Sequence, residues 1–244
     1  MLPIRDHNPS GRTPFVTWAL MAINIAVFLS YAGLFSDARA LNLFFFDYAA
    51  IPARITTGAG YETLLTSMFL HGGWMHLAGN MLFLFIFGDN VEDEMGHVPF
   101  LGFYLATGVA AGLIHVISAP YSTVPTVGAS GAIAGVMGGY LLLFPKARID
   151  ILLILIVFFR IFPIPAWIML AVWFALQFFG GLGADPDQGG VAYWAHAGGF
   201  IAGLVLTLPL WIRRGATGFW QRTDGHPPHP EAQYSTSRIP KIRR

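Results

Sequence analysis

The hydrophobic pattern is dominated by long stretches without Asp, Glu, Lys or Arg, at residues 13–36, 63–88, 95–145, 161–184 and 188–212. A helix needs about 20 mostly apolar residues to cross the hydrocarbon core of a membrane. Only helices and closed barrels cross it, because an unpaired backbone group in lipid costs several kcal/mol. The third stretch can hold two helices joined near Pro120 to Pro125. The pattern therefore predicts six transmembrane helices, at about 14–34, 72–90, 98–118, 128–144, 163–181 and 191–212.

Composition supports a polytopic membrane protein with an all-α fold. The 244 residues are 55% hydrophobic and 11% charged, with a mean hydropathy of +0.59, unlike a soluble domain of this length. We divide the chain into a polar N-terminal arm (1–13), a six-helix core (14–214) and a flexible basic tail (215–244). The apolar segment 149–162 contains Arg160, and we interpret it as membrane-surface structure rather than as a seventh span.

The distribution of Lys and Arg predicts the orientation. If the N-terminal arm is cytoplasmic, then the 91–97 loop, the 145–162 connection and the tail are also cytoplasmic. Together with Arg213 and Arg214, which directly precede the tail, these regions hold all but two of the 14 basic residues, the exceptions being Arg39 and Arg54. Both termini are thus expected in the cytoplasm, most simply at a bacterial inner membrane. The arm lacks the features of a removable signal peptide.

Composition also limits the chemistry. The chain has no cysteine, which excludes disulfides, thiolate metal sites and a cysteine nucleophile. A net charge of +1 argues against a nucleic-acid partner, and we expect the basic tail to contact anionic lipid. We expect neither a cofactor nor a metal, because a zinc protease would need an HExxH sequence and none occurs. The oligomeric state stays open.

Polar side chains within membrane spans are costly and indicate function, and four of those in the predicted spans stand out. They are His76, Asn80, Ser130 and His196. Spans two, four and six all enter from the outer side, and each of these residues lies within about two turns of that end. They therefore share one depth, and His76 and Asn80, four residues apart, share one helix face.

Small residues predict that spans four and six approach closely. Ala134 and Gly138 continue the helix face of Ser130, while Gly199 and Gly203 continue the face of His196. Stripes of small residues let membrane helices pack tightly, so the Ser130 hydroxyl and the His196 imidazole can meet. A serine with a neutral imidazole suffices for nucleophilic acyl transfer. Each residue alone also fits a structural role, as a serine bonded to its own helix or as interhelical hydrogen bonding.

Three segments together resemble the rhomboid family of intramembrane serine proteases. They are TSMFLHGGWMHLAGNMLFLFIFGDNVED (66–93), GASGAIAG (128–135) and AHAGGFIAG (195–203). The resemblance runs through all six predicted spans and implies the six-helix rhomboid-like bundle. It also implies that Ser130 is the nucleophile, His196 the general base, and His76 and Asn80 the oxyanion donors.

The resemblance extends to two further positions and fails at two others. His71 matches a position at the rim of the site, and Glu92 matches a structural hydrogen-bonding position in the loop after the second helix. The Trp-Arg pair of many members is absent, since Tyr61-Glu62-Thr63 stands in its place. The tyrosine that some members stack on the base is Ala134 here, so the sequence does not say what positions His196.

The expected function is that of a serine endopeptidase that cleaves single-span membrane proteins near their outer ends through an acyl-enzyme. Two alternatives remain open. A proteolytically inactive rhomboid-like protein that binds membrane proteins would share the fold, although such proteins usually lack the nucleophile or the base. A transporter would predict inverted repeats or broken helices lined with ionisable groups. The natural substrate, the cleavage site and the pathway are not encoded in any recognisable pattern.

Overall fold

A computed structural model describes residues 2–155, 158–185, 187–230 and 232. This part of the chain is mostly helical and contains one small sheet. The helices are α1 (Phe15–Tyr31), α2 (Ala38–Tyr48), α3 (Pro52–Thr56), α4 (Thr63–Thr66), α5 (Trp74–Met95), α6 (His97–Ser118), α7 (Ser130–Leu143), α8 (Ala166–Gly183), α9 (Tyr193–Arg213) and α10 (Thr217–Thr223). The strands are β1 (Leu2–Asp6), β2 (Arg148–Leu155) and β3 (Phe158–Pro165).

Each of the six predicted spans contains a helix, but the helices are not equivalent. By length and composition, four of those in the described residues can cross a membrane: α1 with its 3-10 extension to Ser36, α6, α8 and α9. A fifth span is possible if α5 is joined to the segment Thr63–Phe69, from which it is bent by 93°. Helix α7 has only 14 residues, fewer than the roughly 20 that a full crossing needs. The chain is therefore an integral membrane protein with four to five full-length candidate spans and one short apolar helix.

The expectation of an all-α fold is wrong in one respect, because the chain contains a three-stranded antiparallel sheet in the order β1-β2-β3. Strands β2 and β3 form a hairpin from the segment interpreted as membrane-surface structure, and β1 comes from the N-terminal arm. The hairpin sequence is an almost continuous apolar run, whose periodicity does not separate strand from helix. Its β-branched and aromatic residues favour the strand.

Helix α7 forms the centre of the helical core. Eleven of its 14 residues are buried, which is the pattern of a helix packed on all sides. Its most extensive contact is with α9, and it also packs against α5, α6 and α8. The large, fully buried side chains of the core include Tyr140 of α7 and, from the neighbouring helices, Tyr104 and Phe87. The residue at the first position of α7 is consequently held by several neighbouring helices.

The tail begins with a short helix that the sequence analysis does not predict. Residues 217–223 form α10, and the Trp220 indole donates a hydrogen bond to the Leu142 carbonyl at 2.9 Å. Beyond α10, the His229 Nε2 lies 2.7 Å from an Asp93 carboxylate oxygen. These contacts attach the first half of the tail to the helical core. The predicted flexibility of residues 233–244 concerns positions outside the described residues.

Candidate active site

The bend before α5 sets the position of the second predicted span. At this bend the Tyr31 hydroxyl donates to the His71 carbonyl at 2.8 Å and accepts from the His71 N–H at 2.6 Å. Helix α5 then begins at Trp74, so that His76 falls in its first turn. One tyrosine of α1 therefore pairs both the backbone N–H and the backbone carbonyl of His71 within the buried bend.

Ser130 is the first residue of α7, next to a glycine with an unusual backbone conformation. Gly128 has a φ of +134°, which a residue with a side chain rarely adopts, and its N–H donates to the Ser67 carbonyl at 2.9 Å. A Cβ atom at Gly128 would lie 2.9 Å from the His76 ring and 3.3 Å from the Ser130 Oγ. The glycine thus leaves room for the hydroxyl of Ser130 and the imidazole of His76 to converge.

Helices α7 and α9 touch through their backbones, as the small-residue stripes predict. A Cβ atom at Gly199 would overlap the Gly131 carbonyl oxygen, and one at Gly203 would overlap the Gly135 carbonyl oxygen. Within this close contact the His196 Nε2 lies 2.8 Å from the Ser130 Oγ. Two residues separated by 66 positions in sequence are therefore hydrogen-bonded, at the depth that the sequence assigns to both.

His196 also has a partner that the sequence analysis does not identify. Its Nδ1 lies 2.8 Å from the Oε1 of Gln177 in α8, and its ring stacks on Trp173 at a centroid distance of 5.9 Å and an interplanar angle of 28°. These contacts hold the imidazole of His196 in place, which the small side chain of Ala134 cannot do. Gln177 lies in the stretch 161–184, which has no charged residue, so the rule that selected His196 could also have selected it.

His76 and Asn80 lie beside Ser130, but their polar groups bond within their own segment. The Asn80 Nδ2 donates to the His76 carbonyl at 2.9 Å, and the His76 Nδ1 accepts from the Gly72 N–H at 3.2 Å. Asn80 is buried, whereas His76 is partly exposed. Catalytic hydrogen bonds often tighten only when substrate is bound. The two side chains therefore lie at the site, with their polar groups bonded within residues 72–80.

The four polar residues line one cavity of about 1110 Å³. Its wall also includes residues of the loops before α7 and before α9, among them Pro125 and Gly190. These loops join helix ends on the same side of the molecule as Ser130. His115 is a further wall residue that the sequence analysis overlooks, and its Nε2 lies 2.9 Å from the Thr126 hydroxyl.

The two additional positions implied by the resemblance have different surroundings. The His71 ring packs edge-on against the His76 ring at a centroid distance of 5.1 Å and is fully buried. Glu92 is in the last turn of α5 rather than in the following loop. Its carboxylate accepts from the Val16 and Thr17 N–H groups at 2.9 and 2.7 Å, so it caps the start of α1. Glu92 therefore joins the end of α5 to the start of α1, at the opposite end of α5 from His76.

Among residues 2–155, 158–185, 187–230 and 232, no group of three or more His, Cys, Asp and Glu side chains is arranged to hold a metal ion. The site instead offers a hydroxyl, an imidazole with one nitrogen facing that hydroxyl, and amide and imidazole donors nearby. Such an arrangement is suited to acyl transfer by a serine nucleophile.

Comparison with known proteins finds one matching family model and several similar proteins. Residues 59–213 match the model of the rhomboid domain. The chain is 34% identical over 130 residues to Rhomboid-like protein 11, chloroplastic, of Arabidopsis thaliana, covering 53% of this chain and 42% of that protein. It is 29% identical over 196 residues to Rhomboid protein 1, mitochondrial, of Saccharomyces cerevisiae, covering 78% and 51%. It is 31% identical over 218 residues to Rhomboid protease AarA of Providencia stuartii, covering 79% and 71%.

The first two of these alignments cover about half the length of the relatives concerned. Both relatives carry organelle names, whereas the third is bacterial. The domain match itself includes α5 to α9, and hence Ser130, His196, His76 and Asn80. Because that match covers more than half of the chain, the protein is a member of the rhomboid family.

Proposed function

We propose that this protein is an intramembrane serine endopeptidase in which Ser130 is the nucleophile and His196 the general base. The observation that carries the proposal is the 2.8 Å contact between the Ser130 Oγ and the His196 Nε2. A serine is a weak nucleophile until an adjacent base accepts its proton. The word protease in the name of the AarA relative is consistent with this assignment.

The reaction follows from the two atoms in contact. As the Ser130 oxygen attacks the substrate carbonyl carbon, its proton passes to the His196 Nε2. The tetrahedral intermediate then collapses, the carbon–nitrogen bond breaks, and His196 returns the proton to the leaving amine. A water molecule that gives its proton to His196 next attacks the acyl-enzyme, and the released Ser130 recovers a proton.

Three groups near Ser130 are suited to stabilise the negative oxygen of the intermediate. They are the His76 and Asn80 side chains and the Ser130 backbone N–H. The N–H groups in the first turn of a helix have no partner within that helix, and the helix dipole is positive there. Loss of one oxyanion donor typically costs about 3 to 4 kcal/mol of transition-state stabilisation. Asn80 can serve if its amide rotates away from the His76 carbonyl when substrate binds.

The short length of α7 suggests how a serine at the start of a membrane helix can reach water. At about 1.5 Å per residue, its 14 residues extend only about 21 Å, against about 30 Å for the hydrocarbon core. If α7 ends at the cytoplasmic surface, Ser130 begins several ångströms below the outer surface, at the bottom of the cavity. We therefore propose six crossings, with α7 as an incomplete one, cytoplasmic termini and a site that opens to the outer side.

The proposed substrates are single-span membrane proteins cleaved near their outer ends. A peptide carbonyl within a helix is shielded by the surrounding turn, so the substrate must unwind locally before Ser130 can attack. We expect small side chains at the cleaved bond and helix-weakening residues close to it, by resemblance to the family. Membrane lipids surround the protein, and residues of the basic tail are expected to contact anionic headgroups.

The test is cleavage of a reporter single-span segment by purified protein in lipid vesicles, together with labelling by a serine-directed fluorophosphonate. We expect the label on Ser130. Replacing Ser130→Ala or His196→Ala should reduce turnover at least about a thousandfold, since the two residues act as a unit. Each variant should keep the native unfolding midpoint.

Ser118→Ala provides a matched control, because Ser118 also lines the cavity but donates its hydroxyl to the His115 carbonyl at 2.8 Å. This variant should retain native turnover and labelling. Native turnover in Ser130→Ala would refute the proposal. Native protein that is neither labelled nor active on any reporter segment would favour the inactive alternative, a protein that binds membrane proteins without cleaving them.

A further inference from the structure

Helix α8 contributes a buried polar side chain that contacts the imidazole of His196. Gln177 is 8% exposed, and its Oε1 lies 2.8 Å from the His196 Nδ1. Its Nε2 donates to the carbonyl of Trp173, one turn earlier, at 3.2 Å. A buried amide normally finds partners for both of its ends, and here the two partners lie on opposite sides of the amide.

These two hydrogen bonds determine which end of the amide faces His196. The Trp173 carbonyl can only accept, so the NH2 end of Gln177 must face it. The Oε1 end then faces His196, and because an amide oxygen can only accept, the His196 Nδ1 must carry the proton. In a neutral imidazole the other nitrogen, Nε2, is left with its lone pair toward the Ser130 hydroxyl. This is the tautomer that a general base requires.

The opposite amide orientation would have a different consequence. If the NH2 end faced His196, the Nδ1 would accept and the Nε2 would carry the proton toward Ser130. The imidazole could then donate to the hydroxyl but could not remove its proton. The carbonyl of Trp173 disfavours this state, because two acceptor oxygens would then face each other and the buried Gln177 oxygen would have no donor. The same residue also stacks its ring on His196, which restricts rotation of the imidazole.

We propose that Gln177 is a positioning residue that fixes the tautomer and orientation of His196, as a neutral counterpart of the carboxylate in a three-residue serine protease site. In such sites the carboxylate holds the imidazole in the correct tautomer. A carboxylate at this position would be costly within the membrane, whereas an amide supplies the same acceptor without charge. The catalytic consequence rests on the proposed function, but the assignment of the tautomer does not.

The first test compares kinetics of three variants in the full-length protein. Gln177→Leu removes the acceptor with little change in volume, and we expect kcat to fall roughly tenfold to a hundredfold with KM little changed. Gln177→Glu restores an acceptor and should recover most of the lost kcat. Its acid limb should move to higher pH, because an ionised carboxylate favours the protonated imidazole. Gln221→Leu, on the exposed face of α10, should behave as the native protein.

The second test reads the tautomer without any substrate. Nitrogen chemical shifts of isotope-labelled histidine distinguish the two neutral tautomers, and subtraction of the His196→Ala spectrum identifies the signals of this residue among the eight histidines. We expect Nδ1–H in the native protein and a mixture of tautomers in Gln177→Leu. A native Nε2–H tautomer would overturn the inference. So would a Gln177→Leu protein with both its kcat and its tautomer unchanged.

The two tests separate the inference from the function on which it rests. If the native protein shows the Nδ1–H tautomer but cleaves nothing, the proposed function fails while the assignment of Gln177 is supported. If Gln177→Leu only lowers the amount of folded protein, the remaining folded molecules should keep the native tautomer. Their kcat, calculated per molecule with fluorophosphonate-labelled Ser130, should also be native. That result would identify Gln177 as a packing residue and overturn the inference.

Discussion

The two ends of the helical core use polar residues in opposite ways. At the end that holds Ser130, the contacts of His196 are to a hydroxyl, an amide and an indole ring. At the other end, carboxylates pair with cations: Asp150 with Arg5 and His7 at 2.6 and 2.7 Å, Glu94 with Arg214 at 2.7 Å, and Asp93 with Arg12 at 3.5 Å. We call the first the neutral end, because the side chains that contact His196 carry no charge, and the second the ionic end, which lies around the sheet.

The difference follows from the cost of charge in a membrane. A charge within the hydrocarbon is expensive, so a site within the membrane is best built from groups that exchange protons without keeping a net charge. In the orientation proposed above, the ionic end lies near the cytoplasmic surface, where water and lipid headgroups reduce that cost and ion pairs can attach the N-terminal arm and the tail. Burial would raise the pKa of Asp150, but hydrogen bonds from His7 and Arg5 and their charges hold it below its usual value.

The largest effect on folding should come from Glu92, at the ionic end. Glu92→Ala leaves the Val16 and Thr17 N–H groups buried without a partner and removes the contact with His97 at 2.6 Å. Loss of one partner from a buried charged network typically costs about 3 to 5 kcal/mol. We expect the unfolding midpoint in mixed detergent to fall accordingly, while each folded molecule retains native kcat.

Glu62→Ala is the matched control for this prediction. The Glu62 side chain is 67% exposed and lies 3.6 Å from Arg54, and exposed pairs contribute at most about 1 kcal/mol. It should leave the unfolding midpoint almost unchanged. A Glu92→Ala protein as stable as the native one would show that the cap of α1 contributes little.

A smaller effect is expected for Asn80 at the neutral end, and it concerns catalysis rather than folding. If Asn80 stabilises the oxyanion, Asn80→Ala should lower kcat by roughly tenfold to a thousandfold, with KM and the unfolding midpoint little affected. The measurement is cleavage of the reporter segment at saturating concentration in vesicles. We expect the loss in kcat rather than in KM, because the negative oxygen that Asn80 would contact develops only in the transition state.

Asn24→Ala offers a close comparison for Asn80→Ala. The Asn24 Nδ2 donates to the Leu20 carbonyl four residues earlier at 2.8 Å, as Asn80 does to His76, but Asn24 lies in α1 away from the cavity. It should reduce stability and leave kcat unchanged. If the two variants lose stability equally and both keep native kcat, the role of Asn80 is structural.

The neutral end was largely predictable from sequence, and the ionic end was not. The residues of the neutral end are rare polar groups in apolar helices, where position along the helix gives depth and face, and small residues give helix contact. Gln177 carried the same signal and was overlooked, because its contact depends on how α8 lies against α9. The pairing of β1 with β2 joins segments about 145 residues apart, and no local pattern encodes a partner at that distance.

The smallest expected effect concerns Asp6, which connects β1 to α7. Asn90 and Tyr140 donate to its Oδ2 at 2.7 and 3.3 Å, and burial together with the nearby Asp89 carboxylate raises its pKa from 3.8 to about 8. Between these values the unfolded chain loses the Asp6 proton while the folded chain keeps it. The contribution of Asp6 to stability therefore falls as pH rises from about 4 to about 8.

Replacing Asp6→Asn should remove this contribution and make the unfolding midpoint less dependent on pH. The change in Tm between about pH 5 and pH 8 should shrink, by about 2 to 4 °C for each kcal/mol of this contribution at this chain length. Asp47→Asn, on the exposed side of α2, should leave the native pH dependence. Because Asp6 contacts the end of α7 remote from Ser130, the pH profile of kcat should be native in both variants. A shifted profile in Asp6→Asn would mean that the ionic end and the neutral end are coupled through α7, and the separation between them would have to be abandoned.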